Sequence, residues 1–313
     1  IRGNFVPIRN IYFIDLFGLK YYNLFKVLKN YDIIVIGAEI SYISHWVILL
    51  FNFFLNKKVF LWGHGVHYNR FKFPLFLLLK FSSGIIFYTN REFRLWKIYF
   101  PNKPIVFLNN TINNTYVPWT KNCLNAFKDE YKYKIDSIIK FDVVIISCFR
   151  FSNPKRNNHK LLDIVKICNS SNFAFIIIGE GKFKPDFSEF NNVFEFNSLY
   201  DPIIKSYLFH ISDIYFQPAW TGLSIVDAMS NGKPIITYKK SKFVKQSVEY
   251  SYLNKGNSVL ISHDNEFLKA VNDIKNSFSQ YESNAFSTYM SLHPSYMVDN
   301  FSSFILNYGY EKK

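Results

Sequence analysis

The sequence predicts an α/β protein made of two successive units, each a parallel sheet covered by helices. Three observations carry this. Short apolar runs rich in β-branched residues alternate with helical stretches along most of the chain. The alternation breaks once, between Val117 and Lys140, and then restarts. Several runs end on glycine, as strands do where the chain turns out of a sheet buried on both faces.

The elements follow in order. Asp32 to Gly37 reads as a strand, Ser44 to Leu55 as an apolar helix, and Lys58 to Trp62 as a strand ended by Gly63-His64-Gly65. Phe73 to Phe81 is helical, Gly84 to Tyr88 a strand, Asn90 to Tyr99 a helix, and Ile105 to Leu108 a strand entering Asn109-Asn110-Thr111. Pro118, clustered lysines and three acids then mark a linker with a charged helix. After the break come a strand at Asp142 to Ile146, a helix at His159 to Asn169, and a strand at Phe173 to Ile178 ended by Gly179-Glu180-Gly181. A short Phe194 to Leu199 segment and a helix at Asp201 to His210 follow. The strand Ile214 to Phe216, the helix Ser224 to Ser230 and the strands Pro234 to Tyr238 and Ser258 to Ile261 come next, before the terminal helices. The divisions expected are 1–118, a linker and helix at 119–140, and 141–293.

Composition narrows the function. With 313 residues, 49% of them hydrophobic, each unit can build a core, and disorder is excluded. Cys123, Cys148 and Cys168 are scattered and form no C-x-x-C, so the expectation is buried, reduced cysteines and neither a disulfide scaffold nor a cysteine zinc site. The longest apolar run, Trp46 to Leu55, is half of the roughly 20 residues a membrane helix needs. Reduced cysteines fit a cytoplasmic protein, and the expectation is a cytoplasmic location, with peripheral attachment to the inner face of the cytoplasmic membrane as its variant. The net charge of +14 calls for nucleic acid, an anionic membrane or a phosphorylated small molecule as partner. The basic residues are dispersed and no helix-turn-helix, RNP or KH pattern occurs, so no nucleic-acid partner is expected.

Four constellations could carry chemistry. Pro218 to Met229, followed by Gly232-Lys233-Pro234, reads as a strand end, a small-residue turn and a short helix. The amides of Gly222, Leu223 and Ser224 could cradle a diphosphate at that helix start. Equally, Ser224-x-x-Asp227 fits a capping box. The second is Phe149-Arg150 after a strand, with Lys155 and Arg156 in a polar loop, suited to phosphate or to plain solvation. The third is the glycine turn Gly179-Glu180-Gly181. The fourth is Gly63-His64-Gly65 with His67, a histidine at a strand end. Pairing His64 with His67 lacks a third ligand at familiar spacing, and no D-x-D is present, so no metal is expected.

In this order, these segments resemble the retaining GT-B glycosyltransferases of family four. The matching stretches are Ser147-Cys148-Phe149-Arg150 with Lys155, Ile178-Gly179-Glu180-Gly181, and Asp213 through Ile236; the first half, with Gly63-His64-Gly65 and Leu108 to Ile112, is similar more loosely. The resemblance implies two Rossmann-like domains facing each other across a cleft, with the tail 294–313 packing back on the first. It implies transfer of a sugar from a nucleotide-diphosphate sugar to a glycan or lipid-linked acceptor in surface polysaccharide or glycoconjugate synthesis, with no cofactor. Arg150 and Lys155 would neutralise the diphosphate, and Gly179, Gly181, Thr221, Gly222, Leu223 and Ser224 would line the donor. Asp227 would take the ribose hydroxyls, Phe196 to Leu199 would flank the base, and His64 would reach the transferred sugar.

Two departures stand out. The family's first glutamate falls on Ala219, and its second is shortened to Asp227. The alternatives are an inactive binding protein of the same fold, or an inverting transferase or epimerase. Separately, Arg70, Lys72 and Lys80 around Phe71, Phe73, Leu75 and Phe76 read either as a membrane-facing surface or as an ordinary buried helix.

Overall fold

The computed structural model describes residues 13–16, 19–22, 31–55, 57–65, 73–113, 127, 129–169 and 172–310. His67, Arg70 to Lys72, Pro118 and Cys123 lie outside the described residues. The backbone divides into two compact units: Ile1–Asn109 with Ser295–Lys313, and Asn110–Pro294.

The first unit opens on a hairpin that the strand reading did not anticipate. β1 (Phe13–Leu16) pairs antiparallel with β2 (Leu19–Tyr22). Then come β3 (Ile33–Gly37), α1 (Ile43–Leu55), β4 (Lys58–Gly63), α2 (Phe73–Phe81), β5 (Gly84–Phe87), α3 (Asn90–Tyr99) and β6 (Ile105–Phe107). The sheet is wholly parallel, in the order β3-β4-β5-β6. One face packs on the three helices through Val59, Leu61, Ile85 and Phe87 against Ile48, Leu78, Leu79 and Trp96. The other face, through Phe60, Ile86 and Leu108, meets Phe304 and Ile305 of the C-terminal helix, Pro294–Gly309. The central strands β4 and β5 are therefore dry on both faces, which is why they read as unbroken apolar runs. Leu75 is buried in this core and Phe76 stacks on Phe100, ring centroids 5.1 Å apart, so those two do not belong to an outer surface.

Among the described residues, the first helix of the second unit is α4 (Asp129–Ile138), the charged helix, whose Ile135 and Ile138 are buried in the core. It continues with β7 (Val143–Cys148), α5 (His159–Cys168), β8 (Phe173–Ile178), β9 (Val193–Phe196), α6 (Pro202–His210), β10 (Ile214–Phe216), α7 (Leu223–Ser230), β11 (Ile235–Tyr238), β12 (Ser258–Ile261), α8 (Phe267–Asn276) and α9 (Phe278–Ser291). Its parallel sheet runs β12-β11-β10-β7-β8-β9. Alternate residues of β7 feed opposite cores, Val144 and Ile146 one and Val143 and Ile145 the other. α6 is capped by Asp201, whose carboxylate accepts from the amides of Ile203 and Ile204, so the helix starts one residue later than expected, at Pro202. β7 runs two residues further than expected, to Cys148. Cys148 and Cys168 are free thiols that burial pushes up to about 12.

No described helix is long and apolar enough to cross a membrane.

Candidate functional site

In the second sheet β7 and β10 are neighbours, while the chain leaving β7 returns on one side and the chain leaving β10 on the other. This is the switch point, outside whose carboxyl ends open α/β sheets bind their ligands. Arg150, the glycine turn and the segment 217–224 all emerge there.

Backbone bonding explains how Arg150 is presented. The amide of Phe149 donates to the carbonyl of Ile178 (3.1 Å) and that of Phe151 to the carbonyl of Glu180 (2.9 Å). The segment after β7 thus runs beside the glycine turn. Phe149 and Phe151 are buried, so the extended alternation throws Arg150 between them to the outside. Gly179 (φ 131°) and Gly181 (φ 148°) permit this close approach: a Cβ on them would lie 2.1 Å from the Phe149 oxygen and 2.4 Å from the Phe151 carbonyl carbon.

The polar loop separates two cations that the sequence left hard to distinguish. A 3₁₀ turn, Pro154–Arg156, is capped by Asn153. Lys155 is exposed and holds its ammonium 4.7 Å from the centroid of the Trp220 ring. Arg156 turns inward: its guanidinium lies 5.5 Å from the Phe149 ring, and Nη1 donates to the Trp220 carbonyl at 3.5 Å. Burial, with Arg150 nearby, draws this guanidinium below its ordinary value.

Trp220 itself is left-handed, at φ 51°, a conformation costly for a bulky residue. It is held by its amide donating to the Lys245 carbonyl (2.9 Å) and by Gln217 Nε2 donating to its carbonyl (2.9 Å). Gln217 is fully buried and organises the segment. Its Oε1 accepts from the hydroxyls of Tyr215 (2.8 Å) and Ser224 (2.6 Å), and its Nε2 also donates to the Ala219 carbonyl. Ala219 has no exposed surface. Thr221 departs from its expected place in the lining. It is buried, its amide and hydroxyl both donate to Gln246 Oε1, and its carbonyl accepts from the Ser247 hydroxyl. Ser247 and Asn110 in turn both donate to the buried carboxylate of Glu249.

The capping box does not form. Gly222 is the N-cap of α7 and no side chain caps the helix. Ser224 bonds Gln217, and Asp227 forms a buried ion pair with Lys205 of α6. Among the described residues, no acceptor meets the amides of Gly222, Leu223 and Ser224. A Cβ on Gly222 would touch nothing within 4 Å. The helix start therefore faces open space, with the positive end of its dipole unanswered. Burial raises the Asp227 carboxyl above its ordinary range against the pull of Lys205. Of the segment expected beside a base, Phe196 is buried in the core, while Asn197 and Ser198 are exposed, the latter donating to Glu180 Oε2 at 3.0 Å.

In the first unit, His64 follows β4 and is clamped from α3. Gly65 donates its amide to Glu92 Oε1 (2.9 Å) and accepts from Trp96 Nε1 (3.0 Å). The His64 ring lies 4.5 Å from that of Tyr88, and its Nδ1 is 3.8 Å from Glu92 Oε1. Glu92 also accepts from the amide and hydroxyl of Thr89, closing a true capping box on α3. Burial raises the Glu92 carboxyl, opposed by those hydrogen bonds. The residues missed from sequence are thus Gln217, Gln246, Glu249, Lys205 and Glu92. Only Glu92 had a local signature, Thr89-x-x-Glu92.

Among the described residues no three His, Cys, Asp or Glu side chains gather as metal ligands would.

No family model matches the chain, and no curated protein matches it in sequence. Solved structures do match its backbone. Anabaena Alr3699/HepE in complex with UDP aligns over 90% of this chain and 80% of its own, with a TM-score of 0.65 at 15% identity. A glycosyltransferase from Rickettsia africae aligns over 90% and 78%, with a TM-score of 0.64 at 15% identity. The lipopolysaccharide outer core galactosyltransferase WaaB aligns over 90% and 77%, with a TM-score of 0.61 at 15% identity. The chain has the GT-B fold. Its two parallel-sheet units are those of a GT-B protein, and the switch point with Arg150 and the α7 N-terminus belongs to the second of them.

Proposed function

We propose that this GT-B chain is a glycosyltransferase that moves a sugar from a nucleotide-diphosphate sugar to a glycan or lipid-linked acceptor, with retention and without a metal, in the cytoplasm. One observation carries the proposal. The amides at the α7 N-terminus point to open space at the switch point, and Lys155 and Arg156, on the loop after β7, lie against the neighbouring Trp220. Such a place suits a diphosphate: amides and guanidinium groups meet anionic oxygens where the helix dipole is positive. Structures similar to this chain include HepE with UDP and with UDP-glucose, which supports a UDP-sugar as the donor.

In this reading, Arg150, Lys155, Gly222, Leu223 and Ser224 hold the diphosphate, and Gly179 and Gly181 serve the donor site by letting residues 149–151 approach closely enough to present Arg150. As the bond from the sugar's anomeric carbon to the diphosphate breaks, the electron pair leaves on phosphate oxygen. The acceptor hydroxyl oxygen bonds to that carbon and its proton passes to the departing phosphate. Cations and amides that meet the growing charge accelerate such a step. Asp227 takes the ribose, sharing its carboxylate with Lys205, and His64 acts on the transferred sugar. Surface polysaccharide or glycoconjugate synthesis is the setting this chemistry fits.

Ala219 favours a second reading, a binding protein without turnover, because a buried alanine occupies the position of the carboxylate that the resemblance leads one to expect. A thermal-shift series with nucleoside diphosphates and UDP-glucose, followed by nucleotide-release measurements, tests both. Stabilisation that grows with ligand concentration supports donor binding. Binding without release of nucleotide, with or without glycan acceptors, selects the second reading. No stabilisation by any nucleoside diphosphate at millimolar concentration overturns both.

A further inference from the structure

We propose that the outer face of the α1–α2–α3 layer docks on an anionic lipid bilayer. The three helices cover one side of the first sheet and bury their inner residues against it. What they turn outward is unusual for a solvated layer. Leu50 (62% exposed) and Phe54 (80%) stand on α1, Phe73 (63%) and Phe81 (55%) on α2, and Ile98 (77%) on α3. Single exposed apolar residues are ordinary, but five large ones on one layer are not. α1 has no Lys, Arg, Asp or Glu in its 13 positions, so the helix that carries Leu50 and Phe54 brings no charge of its own to this face.

The charges on the same layer have one sign. Lys80, Arg91 and Arg94 are exposed on α2 and α3, while the one acid of the three helices, Glu92, is buried toward His64. Residues 1–109 carry 14 Lys and Arg against 4 Asp and Glu, whereas residues 110–294 carry 21 against 17. Most of the net charge thus belongs to the unit that bears the apolar layer. Aromatic and aliphatic side chains interspersed with cations, and free of exposed acids, match the interface of a bilayer containing acidic lipids. A second copy of this face is a poor partner, since it would set cation against cation with no acid between them. The apolar residues are spread over three helices and suit shallow insertion along a plane.

Co-flotation of the full chain with vesicles tests this without any donor or acceptor. Neutral phosphatidylcholine vesicles are compared with vesicles containing about a third phosphatidylglycerol. Binding to the anionic vesicles is expected to exceed binding to the neutral ones at least tenfold, and to weaken as salt rises. The variant Phe54→Ser/Phe73→Ser/Ile98→Ser, and separately Lys80→Glu/Arg94→Glu, should each lose at least tenfold. The charge-matched control Lys182→Glu/Lys269→Glu, in the second unit, should stay within twofold. Absence of co-flotation of the unaltered chain at low salt overturns the proposal, as does equal loss in the control. A concentration-dependent dimer that the face variants dissolve would reassign the surface to self-association and overturn it too.

Discussion

Lys205 on α6 and Asp227 on α7 form a buried ion pair just beneath the helix start that faces the candidate site. Asp227 has 6% of its surface exposed, and burial alone would drive its carboxyl toward the neutral form. Lys205, which burial pulls down, is held above its ordinary value by that carboxylate. Each charge is tolerable because of the other. Removing one partner of a fully buried pair costs about 3–5 kcal/mol. Lys205 keeps part of its surface in water, so Lys205→Met is expected to cost less, about 2 kcal/mol. Chemical denaturation checks this. The double variant Lys205→Met/Asp227→Leu should recover much of the loss, because no lone charge is left behind.

Two glycines at the site should respond oppositely to alanine. At Gly179 the new Cβ would sit 2.1 Å from the Phe149 oxygen in a left-handed backbone, so Gly179→Ala should destabilise the second unit by about 2 kcal/mol or more and displace Arg150. At Gly222 the Cβ meets nothing, so Gly222→Ala should change stability by less than about 1 kcal/mol. Its methyl enters the space proposed for the diphosphate, and donor affinity should fall about tenfold or more. Melting curves with and without nucleoside diphosphate separate the two outcomes.

The parallel sheets were legible because strands buried on both faces leave continuous apolar runs, such as Phe173 to Ile178, punctuated by glycine. The β1–β2 hairpin was not, because four-residue strands give too short an alternation to stand out. At the site, the positions of Arg150 and of the α7 start followed from their places after strands. The competition for side-chain partners did not. Ser224 and Asp227 satisfied a capping box by spacing alone, but the buried Gln217, outside the helix, and the half-buried Lys205, on another helix, claimed them. Thr221 likewise turned to Gln246, 25 residues away. Such long-range polar pairings carry no local periodicity.

Arg150→Ala isolates chemistry from folding. The side chain is exposed and flanked by two phenylalanines that anchor the segment without it, so stability should change by less than about 0.5 kcal/mol. Under the proposed function, nucleotide release in the presence of acceptor should fall about 100- to 1,000-fold, the usual cost of losing a donor to a developing anion. Turnover within a few-fold of the unaltered protein would remove Arg150 from the site.

The first unit should show an acid sensitivity traceable to His45. Its ring is 3% exposed, bonded to the Tyr22 hydroxyl and stacked on Tyr42 with centroids 4.9 Å apart, so α1 and the hairpin meet around it. Burial lowers its pKa from 6.5 to about 4. The neutral ring is thus the form the folded unit accepts. A depressed histidine contributes stability that is whole above its unfolded value and is lost as pH falls through the folded one. Stability should decline from about pH 6.5 down to about pH 4, by about 3 kcal/mol at the limit. His45→Gln cannot charge, so that variant should lose this part of the slope even if its stability at pH 8 is lower. Denaturation midpoints of both proteins between pH 4 and 8 measure it, and parallel declines would show that another group carries the acid response.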